Sequence, residues 1–127
     1  MNYFSTRNKN YSVSASEAIS LGLAPDGGLF VPEMLPKISI YEIEALCKAD
    51  YKQRAVYIMR EFLEEFDEPE LRRIVSAAYG TGFDDKRIAP MRFLNDNTAV
   101  LELWHGPTCA FKDMALSILP HLMITSA

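Results

Sequence analysis

Three scarcities narrow this 127-residue chain before any motif is read: two cysteines, two histidines and no surplus of basic residues. Cys47 and Cys109 lie far apart with no C-x-x-C spacing, so neither a disulfide framework nor a zinc site is indicated, and both are expected as free thiols. Thirteen Lys and Arg against 17 Asp and Glu leave a net charge of −4, with no basic excess to neutralise a phosphate backbone; nucleic acid is not an expected partner. No apolar run approaches the roughly 18 residues of a membrane helix, and the opening "MNYFSTRNKN" lacks a signal-peptide core. The expectation is a cytoplasmic chain with no membrane partner. Internal repeats, charge blocks, low-complexity segments and a glycine-rich phosphate loop are also missing.

What is present is ordinary for a globular protein: 49% apolar and 24% charged residues, enough for one compact domain. Tyr3–Ser5 and Tyr11–Val13 flank the polar turn "TRNKN" and predict a small hairpin. Ser14 with Glu17, and Ser39 with Glu42, have capping-box spacing, in which a hydroxyl and a carboxylate satisfy free backbone N–H groups. They predict a helix from Ala15 to Leu21 stopped by Gly22, and another through Tyr41, Ile43 and Leu46 that frays near Asp50. Between them Asp26-Gly27-Gly28 suits a tight turn, and Leu29-Phe30-Val31 a short strand closed by Pro32.

Ala55, Ile58, Met59, Phe62 and Phe66 recur at helical spacing, with Glu61, Glu64, Glu65 and Asp67 expected on a solvated face. A second stripe, Leu71, Ile74, Val75 and Ala78, is capped by Asp67 or Glu68, has Pro69 in its first turn and ends at Gly80. The two helices are expected to pack together. Met34, Met59, Met91, Met114 and Met123 read as core filler. Met91–Leu94 and Thr98–Leu103 predict a hairpin around "NDN", and Met114, Ala115, Ile118, Leu119 and Leu122 a final helix that Pro120 kinks.

In "HGPTCAFKDMAL", Lys112 stands where that final helix begins, against the preference of cations for the other end of the helix dipole. A free lysine, with a pKa near 10.4, is neutral for only about one part in 2,500 at pH 7, and only the neutral amine attacks a carbonyl. A nucleophilic lysine therefore needs desolvation or nearby positive potential, and a helix N-terminus offers the latter. Asp113 works the other way if its carboxylate faces the ammonium, and a solvated surface lysine is the alternative. Thr108 is a candidate helix cap or ligand contact, His105 a turn or packing residue, Asp113 an orienting or capping carboxylate, and Phe111 a core aromatic or a contact near the lysine. Cys109 with His105 is a weak thiol–imidazole candidate, and Arg7 a surface or interdomain residue.

"STR" at 5–7, "SEAISLGLAPDGGLFVPEMLP" at 16–36 and "LELWHGPTCAFKDMAL" at 101–116 together resemble the N-terminal part of threonine synthase, in order and with compatible spacing. That resemblance implies a fold similar to the tryptophan synthase β-subunit and a lyase dependent on pyridoxal 5′-phosphate (PLP). The family converts O-phospho-L-homoserine and water to L-threonine and phosphate. Lys112 falls on the lysine that holds PLP covalently and moves protons between substrate carbons; Phe111 and Asp113 become cofactor-binding candidates beside it, with no metal.

The expected fold is thus α/β: a small mixed N-terminal domain of short strands and amphipathic helices over residues 1–90, then the first strand and helix of a truncated PLP-binding domain over 91–127. A strand that has just met its crossover helix wants a second parallel strand, and none follows. Self-association through apolar surface around Ile118 and Leu122, or a non-catalytic binding module, is the alternative expectation.

Overall fold

The computed structural model describes residues 1–127. The chain opens with β1 (Tyr3–Ser5), which pairs antiparallel with β2 (Ser12–Val13) on one side and β3 (Phe30–Pro32) on the other, giving the order β2-β1-β3. Ser5, fully buried at 0% exposure, donates its hydroxyl to Asp26 at 2.7 and 2.9 Å, and Asp26 accepts Gly28 N–H at 2.8 Å. The turn passes so close that a Cβ on Gly28 would stand 2.1 Å from Ser5 Oγ, so only glycine fits there. Arg7 closes the same knot by donating to the Asp26 carbonyl at 3.0 Å. "STR" and "PDGG" are therefore one joint of the scaffold.

Four helices follow, each begun by an oxygen-bearing cap that satisfies free N–H groups. Helix α1 (Ala15–Leu21) has Ser14 accepting from Glu17 N–H, but the reciprocal half of the expected capping box does not form; Glu65, from the loop before α4, instead accepts Ser16 N–H at 2.7 Å. Helix α2 (Ile40–Leu46) carries the complete box between Ser39 and Glu42. Asp50 marks no frayed end. It caps α3 (Tyr51–Phe62) with Gln53 in a second box that the sequence reading passed over. Helix α4 (Glu68–Ala78) has Asp67 as its cap and Pro69 in its first turn, and Tyr79, one residue before Gly80, is its C-cap.

Helices α3 and α4 pack together as their stripes require, although Val56 rather than Ile58 is the buried member on α3, and Phe66 enters the core from the loop beyond it. Of the carboxylates expected on a solvated face, Glu64, Glu65 and Asp67 are exposed and also engaged: Glu64 pairs with the N-terminal amine, Glu65 holds α1 and Asp67 caps α4. Of the five methionines expected inside, Met34, Met91 and Met123 are exposed, while Met59 and Met114 pack on the core.

The hairpin of β4 (Met91–Asn95) and β5 (Thr98–Leu101) stands apart from the first sheet, and β5 stops two residues short of the expected Leu103. The final helix is split. Helix α5 (Asp113–Leu116) is one turn, and α6 (Leu119–Ser126) restarts with Pro120 in its first turn. Proline has no N–H to offer the Leu116 carbonyl, which breaks the ladder where a continuous helix would need it. Helix α6 packs across α1, with Ser20 Oγ donating to the Ser126 carbonyl at 3.2 Å. No helix is long and apolar enough to cross a membrane.

A single core joins these pieces. Leu71, Ile74 and Val75 are each at 0% exposure and belong to one buried cluster with Ala15, Val56, Ile118 and Leu122. In the full chain, Leu71→Ala or Ile74→Ala is expected to cost about 2–5 kcal/mol in urea unfolding. Ile43→Ala, at an exposed position, should stay within about 0.5 kcal/mol.

Candidate active site

The segment 102–112 carries the chain from β5 to α5, irregular to His105 and then in turns from Gly106, and Asp113 holds its end in place. Asp113 is buried, and its carboxylate turns back onto the segment, accepting Thr108 N–H at 2.9 Å, Thr108 Oγ1–H at 2.6 Å and, more weakly, Ala110 N–H at 3.4 Å. These bonds hold the Asp113 carboxyl below its ordinary range: the Thr108 hydroxyl contributes most, the backbone N–H groups add to it, and burial opposes them. Gly106 makes room for the fold-back, since a Cβ there would lie 2.5 Å from Asp113 Cβ. Of the two roles open to Thr108, helix cap or ligand contact, the first is not taken: it donates to a carboxylate, and α5 has no side-chain cap at all.

Because both Asp113 oxygens face the turn, no ion pair forms with Lys112, whose backbone adopts αR geometry at the N-cap position of α5. The lysine is exposed, and α5 is a single turn, so neither the burial nor the strong dipole expected of a nucleophilic lysine is supplied by these residues alone. Lys112 is nonetheless the only charged member of the nine residues lining an open apolar concavity of about 510 Å³. Its walls include Leu103, Phe111, Met114 and Leu116, and Phe111 is itself 66% exposed. Tyr51, Ala89 and Leu101 continue that surface into a neighbouring concavity of about 620 Å³ against α3.

Two tethers that were not foreseen hold this region to the helices. Tyr79, 3% exposed at the end of α4, donates its hydroxyl to the Met114 carbonyl at 2.6 Å and meets Tyr51 edge-on, with ring centroids 5.0 Å apart. Burial is the main cause of its raised phenol pKa, with the neighbouring Tyr51 adding to it. His105 lies between Asp84 and Glu102 and so forms no pair with Cys109, an exposed free thiol whose backbone takes φ +56°. Partners 35 and 21 residues away leave no local signal, which is why periodicity could not find them.

A PLP ring and its aldehyde need a lysine amine beside flat apolar walls, and the Lys112 concavity offers both. The cofactor's phosphate needs clustered N–H or cationic donors, and no residue other than Lys112 in this lining is charged. The residues fit the carbonyl end of the cofactor and leave the phosphate end to other groups.

Tyr79→Phe should cost about 1 kcal/mol in unfolding and loosen α5, read as faster amide exchange at 113–117. Asp113→Asn should raise exchange at Thr108 and Ala110 and leave α4 amides unchanged. Since the folded Asp113 pKa is depressed, the unfolded state binds the proton first. Its stabilisation is complete above the ordinary aspartate pKa and is lost as pH falls through the lower folded value. Asp113→Asn should flatten that acid limb.

A family model described as "Threonine synthase N terminus" matches residues 2–79, more than half the chain. Threonine synthase of Pseudomonas aeruginosa is 40% identical over 124 residues, covering 97% of this chain and 26% of that protein. The human protein named threonine synthase-like 1 is 44% identical over 110 residues, covering 84% of this chain and 15% of that one. The crystal structure of PLP-bound threonine synthase from Brucella melitensis superposes with a TM-score of 0.92 at 37% identity, over 99% of this chain and 27% of its own. The chain therefore spans about a quarter or less of the length of these relatives. By a family match over most of its first 79 residues and a shared mixed α/β fold, it belongs to the threonine synthase family as an N-terminal portion.

Proposed function

We propose that this chain forms the N-terminal part of a PLP-dependent threonine synthase. In this reading residues 1–90 are its N-terminal domain, and 91–127 are the opening strand and helix of the catalytic domain, docked through the shared core. The proposed reaction takes O-phospho-L-homoserine and water to L-threonine and inorganic phosphate. The observation that carries this reading is Lys112, a lone cation in an apolar concavity, on a turn fixed by the buried Asp113 carboxylate.

PLP, when bound, supplies the electron sink that stabilises negative charge developing on substrate carbons. The chain's own residues do the positioning. Lys112 Nζ is the amine that would hold the cofactor's carbonyl carbon and would move a proton between substrate carbons. Phe111 presents a flat apolar face on the same wall, and Asp113 fixes the backbone from which the lysine extends. Protein covering the concavity would exclude water from the amine and supply the phosphate donors that these residues lack, so the chain by itself is not expected to turn over substrate.

A non-catalytic, self-standing module would have closed its surface near Lys112. Phe93, Leu101, Phe111 and Leu116 are all more than half exposed, which favours a face made to be covered. Self-association is the second reading, but not through Ile118 and Leu122 as expected, because both are buried in the chain's own core; the face left open is this one, and solution mass distinguishes the readings.

In the full-length protein, Lys112→Ala should abolish the visible absorbance of bound cofactor and lower threonine formation by about 10³-fold or more. Retained colour and turnover in that variant would refute the lysine's role.

A further inference from the structure

His105 opens the turn that leads to Lys112, and both of its ring nitrogens meet acceptors. Nδ1 lies 2.5 Å from Asp84 Oδ1, and Nε2 lies 2.8 Å from Glu102 Oε2. Ionised carboxylates only accept hydrogen bonds, while a neutral imidazole carries a single N–H. Two such contacts at once require two donors, and only the imidazolium has them. On the Glu102 side solvent does not offer an easy substitute, because the His105 and Glu102 side chains are 14% and 15% exposed, whereas Asp84 reaches the ring from the surface at 77%.

We propose that His105 is a positioning residue that works as an imidazolium, clasping the segment after α4 and the end of β5 to the turn that carries Lys112. The clasp is doubled by the backbone, since Asp84 N–H donates to the His105 carbonyl at 3.0 Å. Trp104 stacks beside the ring with centroids 5.7 Å apart. From His105 the chain runs directly into Gly106 and the Asp113-bound turn, so a hinge at 105 would move the whole unit that presents the lysine.

The charges facing the ring come from both packed segments. Asp84, Asp85 and Arg87 lie on the segment after α4, and Glu102 lies at the end of β5. Arg87 is occupied by Asp85 at 2.6 and 3.0 Å, which leaves Asp84 and Glu102 to the histidine. Glu102 and then Asp84 raise the ring's pKa, against a smaller opposing effect of burial. With the folded pKa raised, the clasp is at full strength below the ordinary histidine value of about 6.5 and is lost as pH rises through the folded value.

The proposal uses the reading of Lys112 above only for what the turn is for, and its test needs no cofactor. In the full chain labelled with ¹⁵N-histidine, two-bond ¹H–¹⁵N spectra at neutral pH should show both His105 nitrogens protonated. Opening of amides 106–112, corrected for intrinsic exchange, should increase about tenfold as pH passes the His105 midpoint, the size expected for one lost charge-assisted hydrogen bond. His105→Asn should remove that pH dependence, whereas a merely space-filling ring would leave none to remove. Should His105→Asn fold poorly, Glu102→Gln, which keeps the shape and removes a charge, should shift the His105 midpoint down.

A ring with one protonated nitrogen at neutral pH, or protection of 106–112 that does not change across the midpoint, would overturn the clasp. So would an unmoved midpoint in Glu102→Gln. A Lys112→Ala protein that still takes up PLP would instead defeat the lysine assignment and leave these readouts untouched.

Discussion

The dry face of α4 is the constraint on which the rest of the chain is arranged. Leu71, Ile74 and Val75 have no exposed surface, and the elements around them are all obliged to supply partners: Ala15 from α1, Val56 from α3, Ile118 and Leu122 from the far end of the sequence. Burial of this kind is non-directional, so it fixes which faces meet without fixing orientation. Orientation comes from the polar ties laid over the core, in which Tyr3 reaches the Phe62 carbonyl at 2.7 Å and Tyr79 reaches Met114. Helix α4 is therefore both the hydrophobic centre and, through Tyr79 at its end, the anchor for the turn bearing Lys112.

In the proposed reading, function follows from how that turn is held. An amine meant to meet a carbonyl must be aimed by its backbone, because four rotatable carbons give it little direction of its own. Asp113 aims it by spending its carboxylate on Thr108 and Ala110, and Gly106 permits the approach. The neighbouring residue thus acts through the backbone and does not neutralise the lysine. This separates two roles that adjacent Lys and Asp residues can play, and only the geometry decides between them.

Much of the fold was legible because the signals are local. Ser39 with Glu42, Asp67 with Pro69, and the stripes of α3 and α4 each act within a turn or two, where spacing alone determines contact. The first hairpin was legible from "TRNKN" for the same reason. Legibility failed at α1, where the distant Glu65 accepts Ser16 N–H and the reciprocal bond from Glu17 does not form, and at Asp50, whose local box with Gln53 begins a helix where an end was expected. Lys112 and Asp113 were legible as a motif, and so was Phe111, but the direction of the Asp113 carboxylate and the two carboxylates on His105 were not. Neither has a period: the Asp113 carboxylate folds back onto an irregular turn, and the His105 contacts depend on how the segment after α4 meets the end of β5.

The account stands most directly on where a reducible cofactor bond forms. Borohydride reduction of the full-length protein loaded with PLP, followed by peptide mass spectrometry, should place the pyridoxyl group on the peptide containing Lys112 and on no other lysine. A pyridoxyl group on a different side chain, or none on the protein at all, would contradict it.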